Sequence, residues 1–107
     1  MNARYSISRR QRARVYAAAL IVPNADRALE GATLSAQRLR LPPRDTARLA
    51  HDALRYAVAC HGLRDRLAAR IALGFLVDGI IPRPSAIIQQ ARRTERRLER
   101  SRAREAL

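Results

Sequence analysis

The stretch "LPPRDTARLAHDALRYAVACHG", residues 41–62, decides the fold class of this chain. Pro43 suits the first turn of a helix, where a backbone N–H has no helical partner, and Gly62 suits the C′ position after a helix. Between them the apolar residues recur at helical spacing and do not alternate as in a strand. They are Ala47, Leu49, Ala50, Ala53, Leu54, Ala57, Val58 and Cys60. We therefore predict a helix over about residues 43–60.

Two more helices are predicted on the N-terminal side of this stretch. Ser8 and Gln11 have the spacing of a capping box, which predicts a helix over about residues 9–22 that a proline then ends. Asn24 is a good N-cap for a second helix over about residues 25–40. The apolar stripe of that helix comprises Ala25, Ala28, Leu29, Ala32, Ala36 and Leu39. No strand-like alternation competes with either prediction.

Two helices are also predicted on the C-terminal side. The first, over about residues 63–78, has apolar residues around most of its circumference and therefore needs burial on several sides: Leu67, Ile71, Leu73, Phe75, Leu76 and Val77. The segment "DGIIPRP" breaks this helix, and Pro84 starts a last helix over about residues 84–106. The sequence thus predicts an all-α fold, a compact bundle of about five helices with a basic N-terminal segment and a long basic C-terminal helix.

The charge of the chain is concentrated at its two ends. The 107 residues carry 22 basic and 9 acidic side chains, a net charge of +13, and every basic residue is arginine. Residues 1–22 have five arginines and no acidic residue, and residues 83–107 have eight arginines and three glutamates, so each end carries +5. This length suits one domain. We predict a single domain over residues 1–107, with a core at about 24–82 and basic extremities at 1–22 and 83–107.

Catalytic chemistry has little support in the sequence. Cys60 and His61 are adjacent, and neighbouring residues of a helix point about 100° apart, which is the wrong geometry for a nucleophile and its base. The chain has only one cysteine and two histidines, too few for a typical metal site, and no glycine-rich phosphate loop. We therefore expect no enzyme activity, no catalytic residue, no metal and no cofactor. A single cysteine also excludes an internal disulfide.

The N-terminal stretch "MNARYSISRRQRARVYAAALIVPNA" partly imitates a signal peptide, with a basic run before a short apolar run. Arg12, however, stands where a twin-arginine motif has a large apolar residue, and no small-residue cleavage site follows cleanly. The apolar run is also too short to span a bilayer. We therefore expect a cytoplasmic protein without a membrane partner.

The stretch "QQARRTERRLERSRARE", residues 89–105, contains seven arginines in seventeen positions. On a helix, six of them fall in an arc of about 140° that contains no acidic residue. They are Arg92, Arg93, Arg96, Arg97, Arg100 and Arg104. The opposite side is apolar and can dock on the bundle through Ile87, Ile88, Ala91 and Leu98, and the three glutamates flank that apolar stripe.

This sorting of charge predicts an external anion. Like charges four positions apart destabilise a helix by about 0.2–0.5 kcal/mol per pair, and a bound polyanion would remove that repulsion. The arginine face is about 18 Å long, and the planar guanidinium suits phosphate. Further arginines form possible tracks at Arg9, Arg10, Arg12 and Arg14 and at Arg44, Arg48 and Arg55. Tyr5 and Tyr16 could stack on bases. The alternatives are merely solvated or disordered basic ends, an acidic protein, or an anionic membrane surface.

One functional hypothesis is sequence-specific DNA binding by a regulator of a mobile element or phage. The fourth helix, the "DGIIPRP" turn and the last helix would form a helix-turn-helix. Arginine and glutamine are the side chains that read guanine and adenine edges. Near the end of the last helix that would enter the DNA groove, the sequence has Arg83, Gln89, Gln90 and Arg93. Two features count against this hypothesis. The turn is longer than the usual three or four residues, and the arginines continue far past the first two helical turns.

The other hypothesis is binding of the RNA or DNA backbone without base readout, by a non-enzymatic subunit of a nucleoprotein assembly. With its basic helix "ARRTERRLERSRAR" and its five-helix pattern, the chain resembles the small-subunit family of multisubunit CRISPR effector complexes, short basic bundles without catalytic residues. The resemblance covers size and helix pattern and includes no diagnostic motif. It implies that copies of the chain stack along a guide RNA beside other protein subunits and contact that RNA or the displaced DNA strand.

Overall fold

Five α-helices make up the fold of the computed structural model, which describes residues 7–22 and 24–106. Within those ranges there is no β-strand. The helices are α1 (Arg9–Leu20), α2 (Ala25–Gln37), α3 (Pro43–Ala59), α4 (Arg66–Leu76) and α5 (Pro84–Glu105). The predicted all-α architecture of about five helices is therefore confirmed.

The helix starts predicted from capping residues are mostly correct. The backbone N–H of Gln11 donates to Ser8 Oγ (3.0 Å) and that of Ser8 donates to Gln11 Oε1 (2.9 Å), which completes the capping box of α1. Asn24 Oδ1 accepts from two backbone N–H groups in the first turn of α2. Proline occupies the first turn of both α3 and α5. The predicted starts of these four helices therefore agree with the structure.

The junction between α3 and α4 differs from the prediction. The left-handed residue after α3 is His61 (φ +61°), and the N–H of Gly62 donates to the Ala57 carbonyl (2.9 Å), so Gly62 lies one position beyond C′. A Cβ added at Gly62 would overlap the end of the Leu20 side chain, so a larger residue there would require this buried side chain to shift. Helix α4 starts three residues later than predicted, because Asp65 Oδ1 accepts from the first-turn N–H groups and caps it.

The core is built mainly from alanine. Of nineteen buried hydrophobic residues among those described, twelve are alanines, so the helices approach one another closely. Leu20, Leu49 and Ile87 are the largest of the fully buried side chains. Helices α1, α2 and α3 pack against one another, α4 packs on α1, and α5 packs on α4 and α3.

The predicted limits of the core need correction at α1. Ala13, Val15, Ala19 and Leu20 are buried, so α1 belongs to the core that charge alone had placed at residues 24–82. The burial predicted around α4 also falls differently. Its buried residues are mainly alanines, whereas Val77 is exposed. Short side chains let α4 approach α1, and the larger residues remain at the edge of that contact.

Tyr56 joins α3 to the segment that leads into α5. Its hydroxyl donates to the Pro82 carbonyl, and its ring packs against that of Tyr16 with centroids 5.0 Å apart. Burial raises the pKa of the Tyr56 hydroxyl, and burial also raises the pKa of the Cys60 thiol, which keeps both groups neutral at physiological pH. Tyr16 therefore packs in the bundle, and Tyr5 lies outside the described residues.

Arg66 has a structural role that its charge alone does not reveal. Its guanidinium donates to the carbonyl of Gly62 (3.0 Å) and to those of Leu20 (2.9 Å) and Ile21 (3.2 Å). Carbonyls at the end of a helix have no helical donor, and a cation there also complements the helix dipole. Arg66 therefore connects the end of α1 to the start of α4.

We expect Arg66→Met to lower the free energy of unfolding by about 2 kcal/mol, because methionine keeps much of the aliphatic stem and loses charged hydrogen bonds. Urea denaturation followed by circular dichroism measures this loss. Arg70 is exposed on the same helix, so Arg70→Met is the matched control and should change stability by less than about 0.5 kcal/mol. Equal effects of the two substitutions would show that the Arg66 hydrogen bonds contribute nothing to stability.

Candidate nucleic-acid interface

The C-terminal part of α5 projects from the bundle. The buried residues of α5 are Ile87 and Ala91, and from Arg92 to Ala106 every side chain is exposed except the half-buried Thr94. The molecule is accordingly elongated, with principal extents of 59 × 28 × 18 Å. The prediction of a compact bundle therefore holds for the part that precedes the projecting half of α5, residues 92–105.

The apolar stripe predicted on α5 docks only over its first half. Leu98 is 47% exposed, so its predicted place against the bundle is wrong. The reason is length, because α5 has 22 residues and α4, on which it packs, has 11. The shorter helix cannot cover the longer one, and Ala91 is the last buried residue of α5.

One side of the projecting half forms a continuous basic surface, which we call the α5 arginine face. It comprises Arg92, Arg93, Arg96, Arg97, Arg100 and Arg104, all of them exposed. These residues span about 140° of the helix circumference and about 18 Å of its length. Arg102 and the three glutamates of α5 lie outside this arc. The face therefore presents positive charge with no interleaved carboxylate.

The arginines of α3 form a second, weaker row. Arg44, Arg48 and Arg55 are exposed and lie within about 40° of one another, opposite the buried side of the helix. Asp45 and Asp52 are next to this row on the same helix, about 40–60° from its edge. These carboxylates reduce the positive potential of the row, so α3 is a poorer site for a polyanion than the α5 arginine face.

The arginines of α1 do not form a single face. Arg9, Arg10 and Arg14 are exposed, whereas Arg12 is half-buried on the side of the core, and its Nε atom is buried without a hydrogen-bond partner. Arg12 therefore cannot offer its whole guanidinium to a ligand in solution, which corrects its predicted place in a binding track. Arg10 and Arg14 line a cleft between α1 and α4.

The residues proposed for a helix-turn-helix lie around the start of α5. Arg83, Gln89, Gln90 and Arg93 are all exposed. Residues 77–83 connect α4 and α5, so the connection has seven residues and is longer than the usual helix-turn-helix turn of about three or four. The first turns of α5 also pack against the bundle through Ile87. Only part of this end is therefore open to a DNA groove.

The described part of the chain offers few groups for other chemistry. Across residues 7–22 and 24–106, no cluster of three or more His, Cys, Asp or Glu side chains could hold a metal ion. Within the same ranges, no helix combines the length and the apolar character that crossing a membrane requires. Cys60, the single cysteine of the chain, is buried. The main chemical feature of the surface is therefore arginine.

Comparison of the chain with protein-family models, with curated proteins and with solved structures finds no match. Sequence reasoning identified the α5 arginine face, whose signal is the acid-free arc. It missed the structural role of Arg66 and the cleft beside Arg10 and Arg14, because both depend on which helices become neighbours.

Proposed function

We propose that this protein binds the phosphate backbone of RNA or DNA through the α5 arginine face, without catalysis and largely without regard to sequence. The observation that carries the proposal is that six arginines are exposed in one acid-free arc on the projecting half of α5. Such an arrangement has no evident use in stabilising the fold. It suits a polyanion, because guanidinium groups form paired hydrogen bonds with phosphate oxygens.

The dimensions of the projecting half suit a polynucleotide. A strand in a duplex carries one phosphate per about 3.4 Å of axis, so about 18 Å of arginine face can meet about five successive phosphates. A helix of about 10–12 Å diameter can also enter a major groove of about 12 Å width. Because the projecting half is exposed on nearly all sides, a strand or duplex can approach it without steric obstruction by the bundle.

The proposed setting is a nucleoprotein assembly in which this chain is a small, non-enzymatic subunit. The arginines extend over four turns of α5, whereas a helix that reads bases concentrates its contacts near the entering end. Backbone binding along a whole helix favours an extended ligand held by several subunits. An RNA-guided CRISPR effector complex is one candidate assembly, supported only by the resemblance in size, helix number and basic character.

The proposal predicts strongly salt-dependent binding with little sequence preference. With up to six phosphate contacts, a plot of log K against log salt concentration should have a slope of about −4 for single strands and about −5 for duplexes. Filter binding with several unrelated RNA and DNA sequences measures both properties. A slope near zero would overturn the proposal, and a preference of several kcal/mol for one sequence would favour the regulator instead.

A further inference from the structure

The outward side of α1 is bordered by two clefts, which together we call the α1 groove. The cleft between α1 and α4 has a volume of about 380 Å³, and the cleft between α1 and α2 has a volume of about 660 Å³. Arg14, Ala17 and Ile21 line both clefts. The two clefts therefore lie on either side of one stripe of α1, which we call the ridge, where the short Ala17 stands between the longer Arg14 and Ile21.

Large apolar side chains around this ridge remain exposed. Val77 of α4 is 72% exposed, Ile21 is 65% exposed and Leu34 of α2 is 56% exposed. All three line the α1 groove, and Val77 and Ile21 are the two most exposed of the large hydrophobic residues described. A cluster of exposed apolar residues beside a cleft is typical of an interaction surface. Exposed apolar side chains gain nothing from contact with water, so folding alone does not explain why these three lie near one another.

The charge around the groove has one sign. Arg10 and Arg14 border it at the start of α1, and Arg38 borders it at the end of α2. Among the residues that line the two clefts, none is acidic. The groove therefore combines an apolar floor with a positive rim, and a complementary partner has an apolar face edged by carboxylates.

We infer that the α1 groove binds an acidic amphipathic helix of a partner protein. The small side chains of Ala17 and Ala18 leave room for a helix beside Ile21, while Leu34 and Val77 can pack on the two sides of that helix. From Arg10 to Ile21 the ridge is about 16 Å long, which accommodates about three turns of a partner helix. Glutamates of that helix would pair with Arg10 and Arg14. The inference is independent of the function proposed for α5.

Two other occupants fit the groove less well. A second copy of this chain also carries a net charge of +13, so its approach to the basic rim is opposed by repulsion. A nucleic-acid backbone would satisfy the arginines but would leave Ile21, Leu34 and Val77 exposed to water. An acidic helix satisfies both the rim and the floor of the groove.

A designed peptide tests the inference with the full chain. The probe is a 16-residue helix with leucines on one face and glutamates elsewhere, and binding is followed by fluorescence anisotropy. We expect a micromolar dissociation constant, as is usual for a small interface. A peptide with lysine in place of each glutamate should bind at least tenfold more weakly. A scrambled peptide of the same composition should also bind at least tenfold more weakly, because it lacks the apolar face. Equal binding of the scrambled peptide would overturn the inference.

Variants of the exposed residues locate the binding site. The double variant Ile21→Ser and Val77→Ser should weaken peptide binding at least tenfold, because two exposed apolar side chains are lost from the α1 groove. The matched pair Val58→Ser and Leu98→Ser changes exposed apolar residues elsewhere and should leave binding unchanged. Circular dichroism checks that both proteins remain folded. Equal loss in the two pairs would overturn the assignment to the α1 groove.

A competition experiment separates this inference from the function proposed for α5. Glutamate substitution of Arg93, Arg96, Arg97 and Arg100 should leave peptide binding within about threefold of the parent chain, because these residues lie outside the groove. Peptide and a 12-nucleotide RNA should also bind at the same time. Displacement of the peptide by RNA, together with loss of RNA affinity in the variant Arg10→Gln and Arg14→Gln, would assign the groove to nucleic acid and overturn the inference.

Discussion

Replacement of Arg93, Arg96, Arg97 and Arg100 by glutamate should weaken binding of an unrelated single-stranded RNA by about three orders of magnitude at 0.1 M salt. Each phosphate contact on a single strand contributes about 0.7 to the slope of log K against log salt concentration. Loss of four contacts therefore removes about 2.8 from that slope and about 2.8 logarithmic units of affinity at 0.1 M salt. The four new carboxylates add repulsion. Filter binding across a salt series measures both quantities.

The control for this prediction has the same change in net charge at other positions. Arg27, Arg64, Arg70 and Arg102 are exposed and lie outside the α5 arginine face, and their replacement by glutamate also lowers the net charge by eight, from four lost positive and four added negative charges. This second variant should lose less than about tenfold in affinity, because it keeps the contacts of the face. Circular dichroism should show both variants folded, since the altered side chains are all exposed. Equal losses would mean that total charge, and not the face, determines binding.

Ala32→Leu should lower the free energy of unfolding by about 3 kcal/mol, because the core has no room for a larger side chain. Ala32 is fully buried in α2. The backbones of α1 and α2 are already close there, since a Cβ added at Gly31 would lie 3.2 Å from the Ala18 carbonyl oxygen. A loss of this size lowers the melting temperature of a domain of this length by roughly 10–20 °C. Differential scanning calorimetry measures the shift.

The matched substitution is Ala25→Leu on the same helix. Ala25 is exposed at the start of α2, so leucine there adds no steric overlap, and the free energy of unfolding should change by less than about 0.5 kcal/mol. The comparison separates overpacking from helix propensity, which is similar for alanine and leucine. A stable Ala32→Leu variant would show that the alanine core contains unfilled space.

The helices could be predicted from the sequence because their ends depend on local chemistry. Ser8, Asn24 and Pro43 act through hydrogen bonds or steric limits within one helical turn, and the structure places the corresponding helix starts as predicted. The start of α4 was missed because Gly62 was taken as a C′ residue. The left-handed C′ residue is in fact His61, and the local N-cap residue Asp65, which the prediction overlooked, starts α4.

The candidate site depends on both local and distant causes. The acid-free arc of α5 follows from helical periodicity and could be predicted. The different roles of the other arginines could not be predicted from the sequence. Arg12 turns toward the core, Arg66 donates to carbonyls of α1, and Arg10 borders an apolar cleft. Composition treats these three as equivalent positive charges. Only the packing of helices separates a structural arginine from one that is available to a ligand.

The projection of α5 also links its folding to its ligand. Beyond Ala91 the helix receives little support from tertiary packing, so its order depends on intrinsic propensity and on forces among its own side chains. Arginine and glutamate favour a helix, while crowding of like charges strains it. A polyanion bound along the α5 arginine face, as proposed, would relieve that strain and stabilise the projecting half as a helix.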